Sequence, residues 1–462
     1  MKKISLLLAA CLMTLAASAQ MTFTFSNGVT ATTETNPEDG STTITVPAGT
    51  DLSGLITAVQ IDGAAVNASA ITPNPTTTKI DWGELEVFTY NNKAYGFRFV
   101  EDVWFCAVFF SDCHTNQESS HDGTSKEDLI TITNNIIDMG NNGVAKVSFQ
   151  NVDGLPSGFI PKTSIVFCTG DLDADKDDHS DFVNATADLY KTAGIPFIFI
   201  AGNHDFSPDY WTGSNPDYGA TSGSSGGASA DQKTLSVIKS NNSFWNSYFD
   251  NTLEYFTTGN NRDFEPQHFT FKYKDVRFYC ANNYWFQKPY SGSFTIVLGA
   301  TMSSATYYAP DPIINNLETF VGNHTDEASV WMQHYSFNAG QDIKRWWLDQ
   351  CDPNYNTYIK TTDSSEYGTN ADVELWSNTG GTATQYANLK RDKLASLIEQ
   401  TTNPVHFSGH SHEFSDMTWT NSGHSTRDYT CGANGRSGNT NNAYVVLLKR
   451  GEGVKAVIPA KF

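Results

Sequence analysis

The sequence predicts an α/β architecture preceded by a small all-β, sandwich-like module. Three observations predict it. Apolar runs at Val103–Phe110, Ile165–Cys168, Phe197–Ala201, Val330–Met332 and Val405–Phe407 suit strands covered on both faces. Stretches of helical character lie between several of them, roughly over 125–139, 180–193, 231–249, 342–351 and 388–400. Residues 20 to about 95 read differently: rich in Thr, Val and Asn, they alternate with period two, as in Thr22-Phe23-Thr24-Phe25 and Thr42-Thr43-Ile44-Thr45-Val46.

These patterns divide the chain into residues 1–19, a β module over 20–95 and an α/β domain over 96–462. The last carries a Gly/Ser-rich insertion around 206–330. Asn27-Gly28 and Asp39-Gly40 have turn chemistry, Lys274-Asp275 is placed for a hairpin within 267–282, and Ala443–Leu448 is expected as a closing strand. The run over 212–230, rich in Gly, Ser, Asn and Asp, is expected as a loop near the mouth of any site.

At 462 residues and 39% hydrophobic, the chain can bury a sizeable core, which excludes wholesale disorder. Lys and Arg number 29 against 50 Asp and Glu, a net charge of -21. Such a chain repels phosphate backbones and anionic bilayers, so no nucleic-acid partner is expected.

Lys2 and Lys3, an apolar stretch from Ile4 to Leu15, and Ala17-Ser18-Ala19 fit a cleavable signal peptide, with Gln20 as the first mature residue. Export to the periplasm or the medium is the expectation. A lipoprotein anchored at Cys11 is the less favoured alternative, and no transmembrane segment is expected. The other six cysteines, at 106, 113, 168, 280, 351 and 431, are scattered without a Cys-x-x-Cys pair, which disfavours a thiolate zinc site. Cys106 and Cys168 read as small buried residues, and the sequence leaves any pairing open.

Polar clusters follow the apolar runs: Asp112-x-His114, Gly170-Asp171, Gly202-Asn203-His204-Asp205, His334 and Gly409-His410-x-His412. In open α/β sheets ligands bind beyond the carboxyl ends of strands, which is where each cluster falls. Asp, Asn and His supply hard oxygen and borderline nitrogen donors suited to manganese, iron or zinc. The two residues of an Asp-x-His or His-x-His pair point the same way on an extended segment.

These five blocks, in this order, resemble the calcineurin-like metallophosphoesterase superfamily over roughly residues 100 to 450. The resemblance implies an αββα sandwich and two transition-metal ions, divalent or trivalent, of Mn, Fe or Zn. It implies one ion on Asp112, His114, Asp171 and His412, and the other on Asp171, Asn203, His334 and His410, with Asp171 bridging. It further implies hydrolysis of a phosphomonoester or phosphodiester by a metal-bound hydroxide, with His204 stabilising the phosphoryl group or protonating the leaving group. Asp205 joins His204 as a catalytic candidate, although a capping or supporting role is the plainer one. A small phosphoester is the expected substrate, and the N-terminal module is a candidate for contact with a surface or partner. The alternative is a non-catalytic surface-binding protein with a degenerate phosphoesterase domain.

Some positions depart from the family pattern. Many members carry a second aspartate where this chain has Ala174, so Asp173 or Asp175 is the candidate partner of His204. Ala174 and His114 argue against the purple acid phosphatases. Tyr335-Ser336 follow His334, where many members have His and Pro. His121, His179, His268, His324, His406 and His424 match no block and read as surface or packing residues, with His424 and Arg436 as secondary candidates for lining the site. Trp346-Trp347 reads as helix packing.

Overall fold

The computed structural model describes residues 20–26, 29, 31–35, 40–47, 50–115, 123–139, 147, 149–155, 162–172, 179–202, 205, 227–256, 268–281, 311–337, 393–421, 423–432 and 441–462. The expected signal peptide, residues 212–226 of the run expected as a loop over 212–230, the helix over 342–351 with Trp346-Trp347, and His121, Asp173, Ala174, Asp175, Cys351 and Arg436 lie outside these residues, while 227–230, expected as the end of that loop, are helical.

The first strands are β1 (Met21–Phe25), β2 (Thr32–Thr35), β3 (Thr42–Val46), β4 (Ile56–Ile61), β5 (Ala64–Val66), β6 (Glu86–Tyr90) and β7 (Lys93–Glu101). They form two sheets, β1-β4-β5 and β2-β3-β7-β6. Their alternating apolar residues meet between the sheets, where the Phe23 ring lies 4.5 Å from Phe97 and 5.7 Å from Phe88. Asn91 and Asn92, with φ of 47° and 61°, turn the β6–β7 hairpin in the left-handed pair that matches strand twist. β7 carries this sheet through residue 95 to Glu101.

The next elements are β8 (Trp104–Phe110), α1 (Lys126–Ile137), β9 (Thr163–Cys168), α2 (Ser180–Ala185), α3 (Ala187–Ala193), β10 (Phe197–Phe199) and α4 (Gly227–Phe244). They are followed by β11 (Glu254–Tyr255), β12 (His268–Tyr273), β13 (Val276–Ala281), α5 (Asp311–Gly322), β14 (Ala328–Tyr335) and β15 (Thr402–Gly409). The chain closes with β16 (Ser415–Asn421), β17 (His424–Thr430), β18 (Ala443–Lys449) and β19 (Gly453–Ala460). One sheet runs β10-β9-β8-β18-β19 and the other β11-β12-β13-β14-β15-β17-β16.

The two larger sheets pack face to face. Phe109 on β8 stacks on Phe407 on β15 with centroids 3.9 Å apart, and Phe167 on β9 lies 5.1 Å from Phe278 on β13. Helices cover the outer faces. Leu129 and Ile136 of α1 and Tyr190 of α3 join the main core, while Leu317 and Val321 of α5 and Leu394–Ile398 pack with Trp331 on the far side. The result is the expected αββα sandwich. Edge strand β10 is not left bare: Asn241 and Asn242 of α4 donate to the carbonyls of Phe197 and Phe199 at 2.7 and 3.0 Å.

α1 begins at an N-cap where Ser125 Oγ accepts the Asp128 N–H at 3.1 Å, with Glu127 and Asp128 in the first turn. The helix expected over 180–193 is broken at Thr186 into α2 and α3. β12 and β13 form a hairpin about Lys274 and Asp275, whose φ values are 49° and 58°. No disulfide joins any two of Cys106, Cys113, Cys168, Cys280 and Cys431, all buried. Among the described residues no helix is long and apolar enough to cross a membrane.

Candidate metal centre

β8 pairs in parallel with β9, and β9 with β10, so Phe110, Cys168 and Phe199 reach the same edge of the sheet. In the facing sheet Tyr335 of β14 pairs with Gly409 of β15. Five strand ends therefore converge. Beyond or at them lie Asp112, His114, Asp171, Asp205, His334, His410 and His412.

The loops at these ends are locked by main-chain bonds. The N–H groups of Asp112, His114 and Thr115 donate to the carbonyls of Gly170, Asp171 and Leu172 at 3.0, 3.1 and 3.2 Å. The Asp112 carboxylate accepts the His410 N–H at 2.9 and 3.1 Å, tying the β8 exit to the β15 exit. Asp205 takes the Leu172 N–H on Oδ1 at 2.9 Å and the Gly202 N–H on Oδ2 at 2.6 Å, tying the β9 exit to the β10 exit. Five residues at these strand ends have positive φ: Asp112 at 52°, His114 at 41°, Asp171 at 53°, His410 at 70° and His412 at 56°. Non-glycine residues rarely adopt this region, and a concentration of them is characteristic of functional sites held by their surroundings.

The side chains converge on two overlapping groups. In one, Asp112, His114, Asp171 and His412 each offer a ligand atom, all within 4.8 Å of one another; in the other, Asp171, His334 and His410 do the same. Asp171 belongs to both. Its Oδ2 lies 3.6 Å from His114 Nε2 and 3.4 Å from His334 Nε2. His114 Nε2 faces His412 Nε2 at 3.2 Å, and His412 Nε2 lies 3.4 Å from Asp112 Oδ1. His334 and His410 rings are 5.3 Å apart, and the Tyr335 ring packs on His410 at 4.1 Å.

Two of the preceding glycines are there for close approach. Gly170 has φ of 114°, and a Cβ on it would stand 2.6 Å from both Gly202 N and His334 Nδ1. A Cβ on Gly202 would run into the Asp171 carboxylate and stand 2.6 Å from His334 Cε1. A side chain at either position would occupy the space in which the ligand groups meet.

The charges suit cation binding. Burial raises the Asp112 carboxyl, but the adjacent His412 and His334 outweigh it and hold the group below its ordinary range. Burial pushes the His114 imidazole down against the pull of Asp171 and Asp112, which favours the neutral ring that ligates metal. Burial also lowers His334, yet Asp171 and Asp112 together with the Thr169 carbonyl raise it to about 9. Burial and the neighbouring Asp171 charge raise Asp205 to about 8, against its two main-chain donors. Carboxylate oxygens and imidazole nitrogens crowded in a buried cluster fit first-row transition ions such as manganese, iron or zinc.

Seven of the nine site residues expected from sequence are thus brought together; Asn203 and His204 lie outside the described residues. His334 sits within β14 rather than after it. His424 is at the far end of β17 from the cluster and its Nδ1 lies 2.7 Å from Glu399 Oε2, so it does not line the site. Sequence reasoning gave no role to Tyr335, which covers His410, or to the Thr169 carbonyl, which faces His334 Nδ1 at 2.8 Å. The departure from the family pattern after His334 was the one signal pointing at Tyr335.

A family description matches part of the chain: calcineurin-like phosphoesterase, over residues 107–414, a span running from within β8 to just past His412. No curated protein matches the chain.

Proposed function

The chain belongs to the calcineurin-like phosphoesterase family, and we propose that it is an exported dinuclear-metal phosphoesterase acting on a small phosphomonoester or phosphodiester. The observation that carries this reading is Asp171, the one carboxylate common to two groups of ligand atoms. Asp112, His114, Asp171 and His412 would hold one ion; Asp171, His334 and His410, with Asn203, would hold the other. When bound, the pair of ions supplies neutralisation of the phosphoryl oxygens and acidification of a water for in-line attack.

The chain's own residues have separate tasks. Asp171 and Asp112 bring negative charge that the cations would balance. The main-chain bonds between 112–115 and 170–172 keep both carboxylates oriented without a large reorganisation. Asp205, with both oxygens accepting main-chain N–H groups, is a positioning residue for the exits of β9 and β10. His204 stabilises the phosphoryl charge or protonates the leaving oxygen, a contribution of roughly 10²–10⁴ in rate if it is the proton donor.

Two experiments test the reading. Elemental analysis of the purified chain should give about two transition ions, as a two-metal site requires. A panel of chromogenic phosphomonoesters and diesters, run with Mn²⁺, Fe²⁺ and Zn²⁺, should reveal turnover that His204→Ala and Asp171→Asn abolish. Undiminished turnover in metal-free Asp171→Asn would sink it. Export rests on the Lys2-Lys3 start, the apolar stretch after it and Ala17-Ser18-Ala19; the protein recovered from outside the cytoplasm should begin at Gln20, and a retained Met1 would refute it.

A further inference from the structure

Asp428 belongs to neither group of ligand atoms, yet it holds two of the loops that carry them. It lies on β17, opposite His406 of β15 in the parallel register. It is fully buried. Oδ1 meets His406 Nδ1 at 2.9 Å and accepts Ser408 Oγ–H at 2.8 Å. Oδ2 accepts Ser336 Oγ–H and the Phe337 N–H, both at 2.7 Å. Four such partners fill the acceptor sites of a carboxylate.

The partners lie beside ligand histidines in the chain. Ser336 is two residues beyond His334, and Ser408 is two residues before His410. Phe337 packs its ring edge-on to His406 at 4.9 Å, so the strap after β14 is pinned to the sheet by packing as well as by charge. Aspartate, histidine and serine together invite comparison with a hydrolytic triad. The geometry excludes it: Ser408 and Ser336 donate to Asp428 rather than to His406, and both serines are buried away from any substrate.

We propose that Asp428 is a positioning residue for the Asp171–His334–His410 group, fixing the exits of β14 and β15 so that both imidazoles meet Asp171 at ligand spacing. In the other group Asp112, His114 and Asp171 are anchored by main-chain bonds between 112–115 and 170–172, which Asp428 does not touch, and His412 alone is carried by the β15 exit. The effect of Asp428 therefore falls more heavily on the ion of the Asp171–His334–His410 group, two of whose three side chains it positions, than on the other, where it bears on His412. This inference rests on the two-ion reading above.

The test is calorimetric titration of the metal-stripped full chain with Mn²⁺. Wild type should show two binding events. Asp428→Asn keeps the shape but turns an amide N–H₂ towards hydrogen-bond donors. It should weaken one event about 10–100-fold, the usual effect of losing a partner that orients a ligand, and weaken the other distinctly less. Ser336→Ala and Ser408→Ala each remove one donor and should give a smaller loss in the same event; they carry the test if Asp428→Asn does not fold. Two unchanged events in the variants, or two events weakened equally, overturn the proposal. Fewer than two events in wild type would instead overturn the two-ion reading, and this inference with it.

Discussion

His334 Nδ1 lies 2.8 Å from the main-chain oxygen of Thr169. A carbonyl oxygen can only accept, so Nδ1 carries the proton and Nε2 is presented to Asp171 Oδ2, 3.4 Å away. A main-chain acceptor orients the ring through that nitrogen. His334→Ala removes the nitrogen and keeps the fold, since neighbouring Trp331 and Tyr335 hold β14 in its own cluster. Metal content should fall from about two ions per chain to about one. Elemental analysis reads this directly; unchanged content would show that His334 is not a ligand.

The metal-free protein should be sensitive to alkali. His334 is raised to about 9 and Asp205 to about 8, both above their ordinary values of roughly 6.5 and 3.9. A group whose folded pKa is raised contributes stability that is fully present below its unfolded pKa and is lost as pH rises through the folded one. For Asp205 that loss runs from about 4 to 8, and for His334 from about 6.5 to 9. The melting temperature of chelated protein should therefore decline across this range. Cation binding needs the neutral His334 ring, so uptake at pH 7 should release about one proton from it, measurable by calorimetry in buffers of differing ionisation enthalpy. A flat melting profile together with no proton release would contradict the assignment.

Asp205→Asn separates support from chemistry. An amide can accept from only one of the two N–H groups that Asp205 now satisfies, Leu172 and Gly202. Its own N–H₂ would confront the other. A buried donor left unsatisfied costs about 1–3 kcal/mol, which denaturant unfolding can resolve. Turnover should drop with KM little changed, because the β10 exit at Gly202 loses its tether to the β9 exit while the ligands on the other strands stay in place.

What was legible in the sequence follows from physics that acts locally. Val103–Phe110 is apolar on both faces and became β8 over Trp104–Phe110, because a strand covered by two layers needs no alternation. Asp112, His114, Asp171, His410 and His412 were legible because they stand just beyond such strands, next to glycines or each other. Asp428 was not. Its partners His406, Ser408, Ser336 and Phe337 become neighbours only when β17 docks beside β15, a register set by tertiary pairing and not by spacing along the chain. His406 read as a packing residue for the same reason. α5 also went unforeseen, inside a stretch read as a Gly/Ser-rich insertion, since its apolar residues find their partners on β13 and β14.

Gly202→Ala tests whether the meeting of the two β exits is as tight as the geometry requires. The added methyl would collide with the Asp171 carboxylate and the His334 ring. Relieving that collision means moving the one carboxylate common to both ligand groups. Both metal-binding events should weaken to a similar degree, in contrast to the unequal loss expected for Asp428→Asn. A variant that binds both ions as wild type does would mean the β10 exit is free to shift.

Phe109 offers a test of the architecture. Its ring stacks between Phe167 at 4.5 Å and Phe407 at 3.9 Å, joining the two large sheets at their centre. Phe109→Ala should cost about 3–5 kcal/mol, because the flat rings on either side cannot collapse into the space. The N-terminal module has a separate core around Phe23, Phe88, Phe97 and Phe99, with no member in common with the cluster around Phe109. Two cores imply that unfolding need not be a single two-state event. Differential scanning calorimetry of the variant should move the transition of the α/β domain downward and leave that of the β module in place. If a single transition moves as a whole, the two cores unfold as one cooperative unit, and the strand from Lys93 to Glu101 that leads into β8 is the element that couples them.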